Sequence, residues 1–288
     1  MLKKRLIAVL VIKNGLVVQS IGFRKYLPIG KPDIAVDFLN SWGIDEIVVL
    51  DIDASTQKRG PDFAMIEKLS RKNFTPLSIG GGISSVAEMK KVIHFGAEKI
   101  VINKAALQNP NLISQAVDIL GRQSVIVSVD VKKFGNKYFV FSDSGSRKTL
   151  LEVTEWVKKI EELGAGEIFL NSIDRDGTKM GYDLALIKLV SRSVTIPVIA
   201  CGGAGQPKHF IQAFENGVVA VAAGNFFHFT EHSPVVLKAF MKNIVSNVRI
   251  ETNYDYDGFG FLADGRIAKK SETYLDKIRF EYQAKEII

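Results

Sequence analysis

The sequence predicts a closed parallel (β/α)8 barrel of the TIM type, with a two-fold half-barrel repeat and a C-terminal extension. Residues 1–252 make the barrel and 253–288 the extension. Three observations lead there. Eight short β-branched runs recur along the chain, near-continuously apolar as strands buried on both faces must be. Longer amphipathic stretches separate them, so strand and helix alternate. The second half of the chain also echoes the first. A length of 288 residues accommodates one barrel of about 250 residues with some chain to spare. A doubly wound open sheet shows the same alternation and stands as the alternative, because periodicity alone does not establish closure.

In chain order the strand runs are RLIAVLVI from Arg5, EIVVLDI from Glu46, PLSIGG from Pro76 and EKIVIN from Glu98. SVIVSVDV from Ser124, EIFLNS from Glu167, PVIACG from Pro197 and VVAVAAG from Val218 complete the set. Between them PDIAVDFLNSWG, SSVAEMKKVIHFG, TLLEVTEWVKKIEELG and PKHFIQAFENG read as helices. Each closes on a glycine (Gly43, Gly96, Gly164, Gly217), the residue that most readily takes the left-handed turn past a helix end. SIGGGIS at Ser78–Ser84 resembles ACGGAGQ at Ala200–Gln206, and LDIDAS at Leu50–Ser55 resembles LNSIDRDG at Leu170–Gly177. On that offset VLVIKNG of the first strand falls against VSVDVKK of the fifth. At a shift of 119 residues Lys13 lies opposite Lys132, and Val11 opposite Asp130.

Composition narrows the function class. The formal charge of +7 is spread without a basic run interleaved with aromatics, so no nucleic-acid partner is expected. A solvated basic surface or a site for anionic substrates accounts for it. One cysteine, Cys201, allows neither an intramolecular disulfide nor a multi-cysteine metal site, as in a reducing cytoplasm. The start MLKKRLIAVLVIKNG imitates a signal peptide, but its apolar run covers only Leu6–Ile12 and reads as a buried strand. No stretch approaches the ~20 apolar residues of a membrane span. A cytoplasmic protein with no membrane, metal or cofactor is expected.

Barrel chemistry gathers at the C-terminal ends of strands. There the glycine clusters Gly80–Gly82 and Gly202–Gly203 each precede a helix start, whose free N–H groups and positive dipole end can hold a phosphate. Asn103 ends the fourth strand and Gly224-Asn225 the eighth. Two such cradles at repeat-related places suit a long phosphorylated small molecule. Asp130 closes an apolar strand and is placed either for general acid/base work or for structural capping. Asp51 is placed to orient Lys13 or a neighbouring loop. Asp174, Asp176 and Gly177 fall in a turn-rich loop after the sixth strand. The four histidines are scattered, and His228 in NFFHF reads as packed rather than metal-binding. At the opposite strand ends Arg5, Glu46, Lys99 and Glu167 alternate in sign. They form either a solvated rim with weak ion pairs or a charged gate around the axis.

Together these residues resemble the cyclase (HisF-type) subunit family of imidazole glycerol phosphate synthase, over nearly the whole chain to about Arg249–Glu251. GGGI, INKAA, LNSIDRDGTKMGYD, IPVIACGGAG and FHF carry the resemblance. It implies a HisH-type glutaminase partner at the barrel bottom, with ammonia passing a gate of Arg5, Glu46, Lys99 and Glu167. It implies two strand-end acids that split and cyclise a bis-phosphorylated ribulosyl substrate at the top. Gly82, Asn103, Gly177, Gly203, Gly224 and Asn225 fall on phosphate-binding positions and Asp130 on the fifth-strand acid, with Lys13 retained. The first-strand acid falls on Val11, and Gln19 stands where the family usually has lysine. The pattern is similar to a HisF-like branch accompanying N-acetyl sugar amidotransferases in surface-polysaccharide pathways, through LDIDAS, FLNSIDRDG and ACGGAG. That branch implies ammonia delivery to a separate sugar amidotransferase that forms acetamidino groups. A genuine cyclase, with Asp51 or Asp53 covering for Val11, and a non-catalytic phosphosugar-binding barrel are the alternatives. The extension holds four of the seven tyrosines and is expected to be either a lid on the barrel or a docking surface for the amidotransferase.

Overall fold

Strand pairing in the computed structural model, which describes residues 3–229, 232–242, 244–249, 256, 258–275 and 277, runs round without an end. The chain opens with β1 (Arg5–Lys13), β2 (Leu16–Ile21), β3 (Lys25–Gly30) and α1 (Pro32–Ser41). It continues through β4 (Glu46–Asp51), α2 (Ile52–Thr56), α3 (Phe63–Ser70), β5 (Leu77–Gly80), α4 (Val86–His94) and β6 (Lys99–Ile102). After α5 (Lys104–Gln108) and α6 (Asn111–Leu120) come β7 (Val125–Phe134), β8 (Lys137–Ser142), β9 (Arg147–Glu152) and α7 (Val153–Glu162). β10 (Glu167–Ser172), α8 (Leu184–Ser193), β11 (Val198–Cys201), α9 (Pro207–Glu215) and β12 (Ala220–Ala223) follow. The last helices are α10 (Asn225–His228), α11 (Ser233–Met241) and α12 (Glu272–Leu275).

The eight apolar runs of the sequence are the eight parallel strands β1, β4, β5, β6, β7, β10, β11 and β12. β12 pairs with β1, and β7 with β10 as well as β6, so the sheet closes and the open-sheet alternative is excluded. Period-two alternation then divides the core in two. Outward residues such as Leu6, Leu10, Ile47, Val49 and Leu170 pack under the helices. Inward residues such as Ile7, Val9, Val48, Val101, Ile126 and Phe169 fill the axis.

Four strands lie outside the expected set. The first strand of each half runs past the barrel and folds back, β1 into the antiparallel β2–β3 and β7 into β8–β9. The stretch from Thr149, read as part of a helix, therefore starts as strand, and α7 begins only at Val153. Gly43, Gly96, Gly164 and Gly217 all have positive φ, as expected past helix ends.

The boundary expected at 252/253 falls outside the described residues, as does YLDKIRFEY beyond Lys277. The described part of the extension lies against the barrel. Phe261 contacts Phe240 of α11 at 5.6 Å, and Tyr256 Oη lies 2.7 Å from His232 Nδ1. Gly265 presses on α9: a Cβ there would lie 2.2 Å from Pro207 Cγ. Among the described residues no helix is long and apolar enough to cross a membrane.

One buried ion pair ties the last barrel helix to the first strands. Lys238 of α11 donates to Asp45 Oδ1 at 2.6 Å and to the Gly43 carbonyl at 2.7 Å, while Asp45 Oδ2 accepts the Leu6 N–H at 2.8 Å. Both side chains are almost fully buried. Removing one partner of such a pair leaves an uncompensated charge in the core. Lys238→Met should therefore lower unfolding free energy by about 3 kcal/mol in urea titrations; a change under about 1 kcal/mol would show that the pair is not a closure element.

Candidate active site

The N-terminal ends of the strands carry a closed ring of four charges. Arg5 Nη1 meets Glu46 Oε2 at 2.8 Å, and Arg5 Nη2 meets Glu167 Oε1 at 2.8 Å. From the other side Lys99 Nζ lies 2.9 Å from Glu46 Oε1 and 3.3 Å from Glu167 Oε2. Ser78 Oγ adds a bond to Glu46 Oε1 at 3.2 Å. Each carboxylate thus bridges both cations and the ring is neutral. Burial works against the Arg5 charge, but Glu167 and Glu46 outweigh it and hold its pKa above the ordinary guanidinium value. Of the two sequence readings, the solvated rim is excluded: Glu46 is buried and the other three are largely so. Directly inward of the ring the lining is apolar, through Ile7, Val48, Val101, Ile126, Phe169 and Ile199.

At the other end this lining opens into a cavity of about 180 Å3. Asp130 stands on its wall. Its Oδ2 accepts from Asn103 Nδ2 at 2.8 Å and its Oδ1 from Asn171 Nδ2 at 3.0 Å, one amide from each neighbouring strand. Burial pushes its carboxyl up to about 6, with Asp176 adding to the shift, against the pull of the two amides. Asn103 Oδ1 is buried beside it with no partner among the described residues.

Val11 occupies the equivalent place in the other half. Asp130 pairs with Phe141 of β8 and Asn171 of β10; Val11 pairs with Val18 of β2 and Leu50 of β4. Asp130 has two amide donors. The strand residues paired with Val11 are apolar and offer its side chain no polar group.

Lys13 is displaced from the chemistry expected of it. Its Nζ lies 3.3 Å from Asp53 Oδ1 and 5.1 Å from the Tyr26 ring centre, outside the cavity wall. Asp53 also accepts the Asn14 N–H at 2.5 Å. Asp51 does not orient Lys13. It caps α2 through the Asp53 and Ala54 N–H groups and pairs with Arg59 at 2.7 Å, so it orders its own loop. The pairing of Asp53 with Lys13, and Tyr26 altogether, are what sequence reading missed here. Tyr26 lies on a strand that was not expected, and burial with Asp176, Asp130 and Asp53 nearby pushes its hydroxyl up to about 12. Gln19 lies in β2.

Asp176 locks the roof of the cavity. Its Oδ2 accepts from Ser20 Oγ at 2.7 Å and Phe23 N at 3.2 Å, while its carbonyl takes the Gly22 N–H at 3.1 Å. Burial raises its pKa. Asp174 is exposed and accepts from Lys133 N at 2.8 Å.

The glycines need a finer reading than cradles. A Cβ at Gly82 would lie 2.6 Å from the Arg59 carbonyl, and one at Gly203 2.2 Å from that of Gly181. Loop packing therefore already requires glycine at both. The helix after Gly82, α4, has its start closed by a Ser85–Glu88 capping box. The starts of α5, after Asn103, and α10, after Gly224, have no side-chain cap, while at α9, after Gly203, the Gly205 and Gln206 N–H groups are taken by His209 Nδ1. The α5 and α10 starts line the cavity, as do Gly82, Gly177, Gly203 and Asn225. The expected phosphate positions thus converge on one cavity, with open N–H groups following Asn103 and Gly224. The wall carries the carboxyls of Asp51, Asp130, Asp143 and Asp176 against the single ammonium of Lys104, so an anion here would rely on backbone donors.

His228 is packed, its Nε2 buried, with burial pushing its pKa down to about 4. Burial likewise pushes the Cys201 thiol up, which keeps it unreactive. Among the described residues no three His, Cys, Asp or Glu side chains come together as metal ligands.

Comparison with known proteins agrees with this geometry. The family model described as "Histidine biosynthesis protein" matches residues 5–233. A putative imidazole glycerol phosphate synthase subunit hisF2 of Vibrio vulnificus is 44% identical over 260 residues, covering 90% of this chain and 96% of its own. Imidazole glycerol phosphate synthase subunit HisF of Pyrococcus furiosus is 42% identical over 251 residues, 87% of this chain and all of its own. HisF of Chlorobium phaeovibrioides is 43% identical with the same coverage.

The Asp130 environment sets a pH dependence. With its folded pKa above the unfolded carboxyl value of about 4, the folded state holds the extra proton between those values, so stability falls as pH rises from about 4 to about 6. Asp130→Asn should flatten that slope and stabilise the barrel at pH 7.5 by up to about 3 kcal/mol, less the bond lost to Asn103 or Asn171. Parallel slopes for the two proteins between pH 4 and 6 would contradict it.

Proposed function

The chain belongs to the HisF family of imidazole glycerol phosphate synthase subunits, and on that premise we propose that it delivers ammonia without cyclising a substrate of its own. A HisH-type glutaminase docks at the ring end and releases ammonia there. Neutral ammonia passes the ring and the apolar lining, where an ammonium ion would lose its hydration without a partner. It leaves at the mouth for a separate sugar amidotransferase. There it replaces the carbonyl oxygen of an acetamido group, with net loss of water, to give an acetamidino group.

The observation that carries this reading is Val11. The ring of Arg5, Glu46, Lys99 and Glu167 is complete, whereas the first-strand acid is absent and Val18 and Leu50 pair with its place. The residues able to cover for it are engaged: Asp51 with Arg59 and α2, Asp53 with Lys13 and Asn14. Losing a positioned acid/base group typically costs about 10²–10⁴ in rate.

A second reading, a cyclase working on Asp130 alone, draws on the raised pKa of that residue and the two open helix starts at the cavity. The purified barrel with ammonium salts and the bis-phosphorylated ribulosyl substrate separates the two. No turnover is expected from the unchanged chain, and Val11→Asp should raise the rate by about 10²–10⁴; robust turnover by the unchanged chain would establish the second reading. For the conduit, Lys99→Ala should uncouple the complex. Incorporation of glutamine amide nitrogen should fall at least about tenfold while added ammonium still supports product, and unchanged incorporation would remove the ring from the path.

A further inference from the structure

We infer that the mouth face is the docking surface for an acidic face of the enzyme that consumes the ammonia, an inference resting on the delivery role above. Three features of the loops around the mouth lead to it. The first is charge. Arg24 and Lys25 in the β2–β3 hairpin, Lys133 at the β7–β8 turn, Arg147 and Lys148 on β9, and Lys179 after β10 are all exposed. None of the six is within ion-pair distance of a carboxylate among the described residues. Six exposed cations outside ion-pair distance of any described carboxylate therefore stand on the loops where the conduit opens, around a cavity wall that is itself acidic. An anionic ligand small enough to enter would meet those carboxylates, whereas a large acidic surface resting on the rim would not.

The second feature is exposed apolar surface on the same loops. Leu150 is 97% exposed, Met180 73%, Phe134 45% and Leu27 40%. A purely electrostatic platform for a polyanion has no use for these side chains, whereas a protein interface uses both. The third is preorganisation. Phe134 stacks on Phe141 at 5.9 Å, and the Lys148 ammonium sits 3.8 Å from the Phe139 ring centre and 4.4 Å from that of Phe134. A cation already held on an aromatic shelf has less freedom to lose on binding.

The two hairpins also meet above the cavity. A Cβ added at Gly145, between β8 and β9, would lie 3.1 Å from both Phe23 and Ile173. Each hairpin ends in an edge strand, β3 or β9, paired on one side only among the described residues. A partner seated across both would cover these edges and seal the exit. A seal matters because ammonia that reaches bulk water is protonated and lost to the reaction.

The test is a rim variant, Lys133→Glu/Arg147→Glu/Lys148→Glu, reconstituted with the glutaminase and the sugar amidotransferase. Thermal unfolding and glutaminase activity should match the unchanged barrel. Transfer of ¹⁵N from amide-labelled glutamine to the sugar should fall at least tenfold and be restored by added ammonium. Transfer by the unchanged complex should weaken steeply with salt. Lys148→Ala alone should give a smaller loss in the same direction. Unchanged transfer by the triple variant, with Lys99→Ala still uncoupled, would overturn the docking face and leave the delivery role standing. Absence of glutamine-dependent transfer in the unchanged complex would sink the delivery role itself. Binding of the barrel to anionic vesicles or RNA that the triple variant loses, with transfer unaffected, would reassign the rim.

Discussion

Closure of the sheet between β7 and β10 is the constraint on which the rest depends. Once eight strands share one axis, alternate residues of each must face it, and a side chain's place along its strand fixes its height in the barrel. Along β1 the inward positions are Arg5, Ile7, Val9 and Val11, and Lys13, next in the alternation, is turned onto Asp53. One strand therefore runs from the charged ring through the apolar lining to the mouth. The same rule brings Glu46, Lys99 and Glu167 to the height of Arg5, although up to 162 residues separate them in sequence.

The charged ends and the apolar middle solve different electrostatic problems. Four ionised groups in a half-buried ring are tolerable because every carboxylate oxygen has a cation within reach and the sum is zero. Above it nothing is charged until Asp130, which shows what an acid costs there: two amides hold it, and its pKa still stands near 6. Val11 carries no such cost. The two halves of the mouth are thus related in backbone and opposite in chemistry.

The eight strands were legible in the sequence because each run is near-continuously apolar, a pattern set by burial on both faces, and the charged ring because four of the runs open at or beside a charge, at Arg5, Glu46, Lys99 and Glu167. The hairpins were not. KYLPIG of β3 is mostly exposed and carries a proline, so it lacks the continuous apolar signal, and the β9 residues from Thr149 merge into the helical pattern of α7. Missing the hairpins meant missing Tyr26 and Ser20, and with them the lock that Asp176 forms over the cavity. The partner of Lys13 was open for a related reason. Asp51 and Asp53 are two residues apart, and only the start of α2 decides that the first caps a helix while the second reaches back to β1. Glycine clusters are ambiguous for a third reason. Close loop packing and phosphate binding both call for glycine, and the uncapped helix starts that distinguish them are visible only in three dimensions.

Retention of Asp130 follows from this division. A buried carboxyl with a raised pKa lowers stability at neutral pH, and an apolar residue in its place, as at Val11, would relieve that cost. Yet Asn103 and Asn171 are both turned onto it, and Asn103 keeps a buried oxygen directed at no protein group. The polar support around Asp130 thus has no counterpart around Val11, whose strand partners Val18 and Leu50 are apolar. Under the delivery role proposed above, the Asp130 side would hold one small polar molecule at the end of an apolar passage. Ammonia, with three N–H donors and one lone pair, is such a molecule. The carboxylate oxygens of Asp130 and the free oxygen of Asn103 are acceptors for those donors at the point where the apolar lining ends.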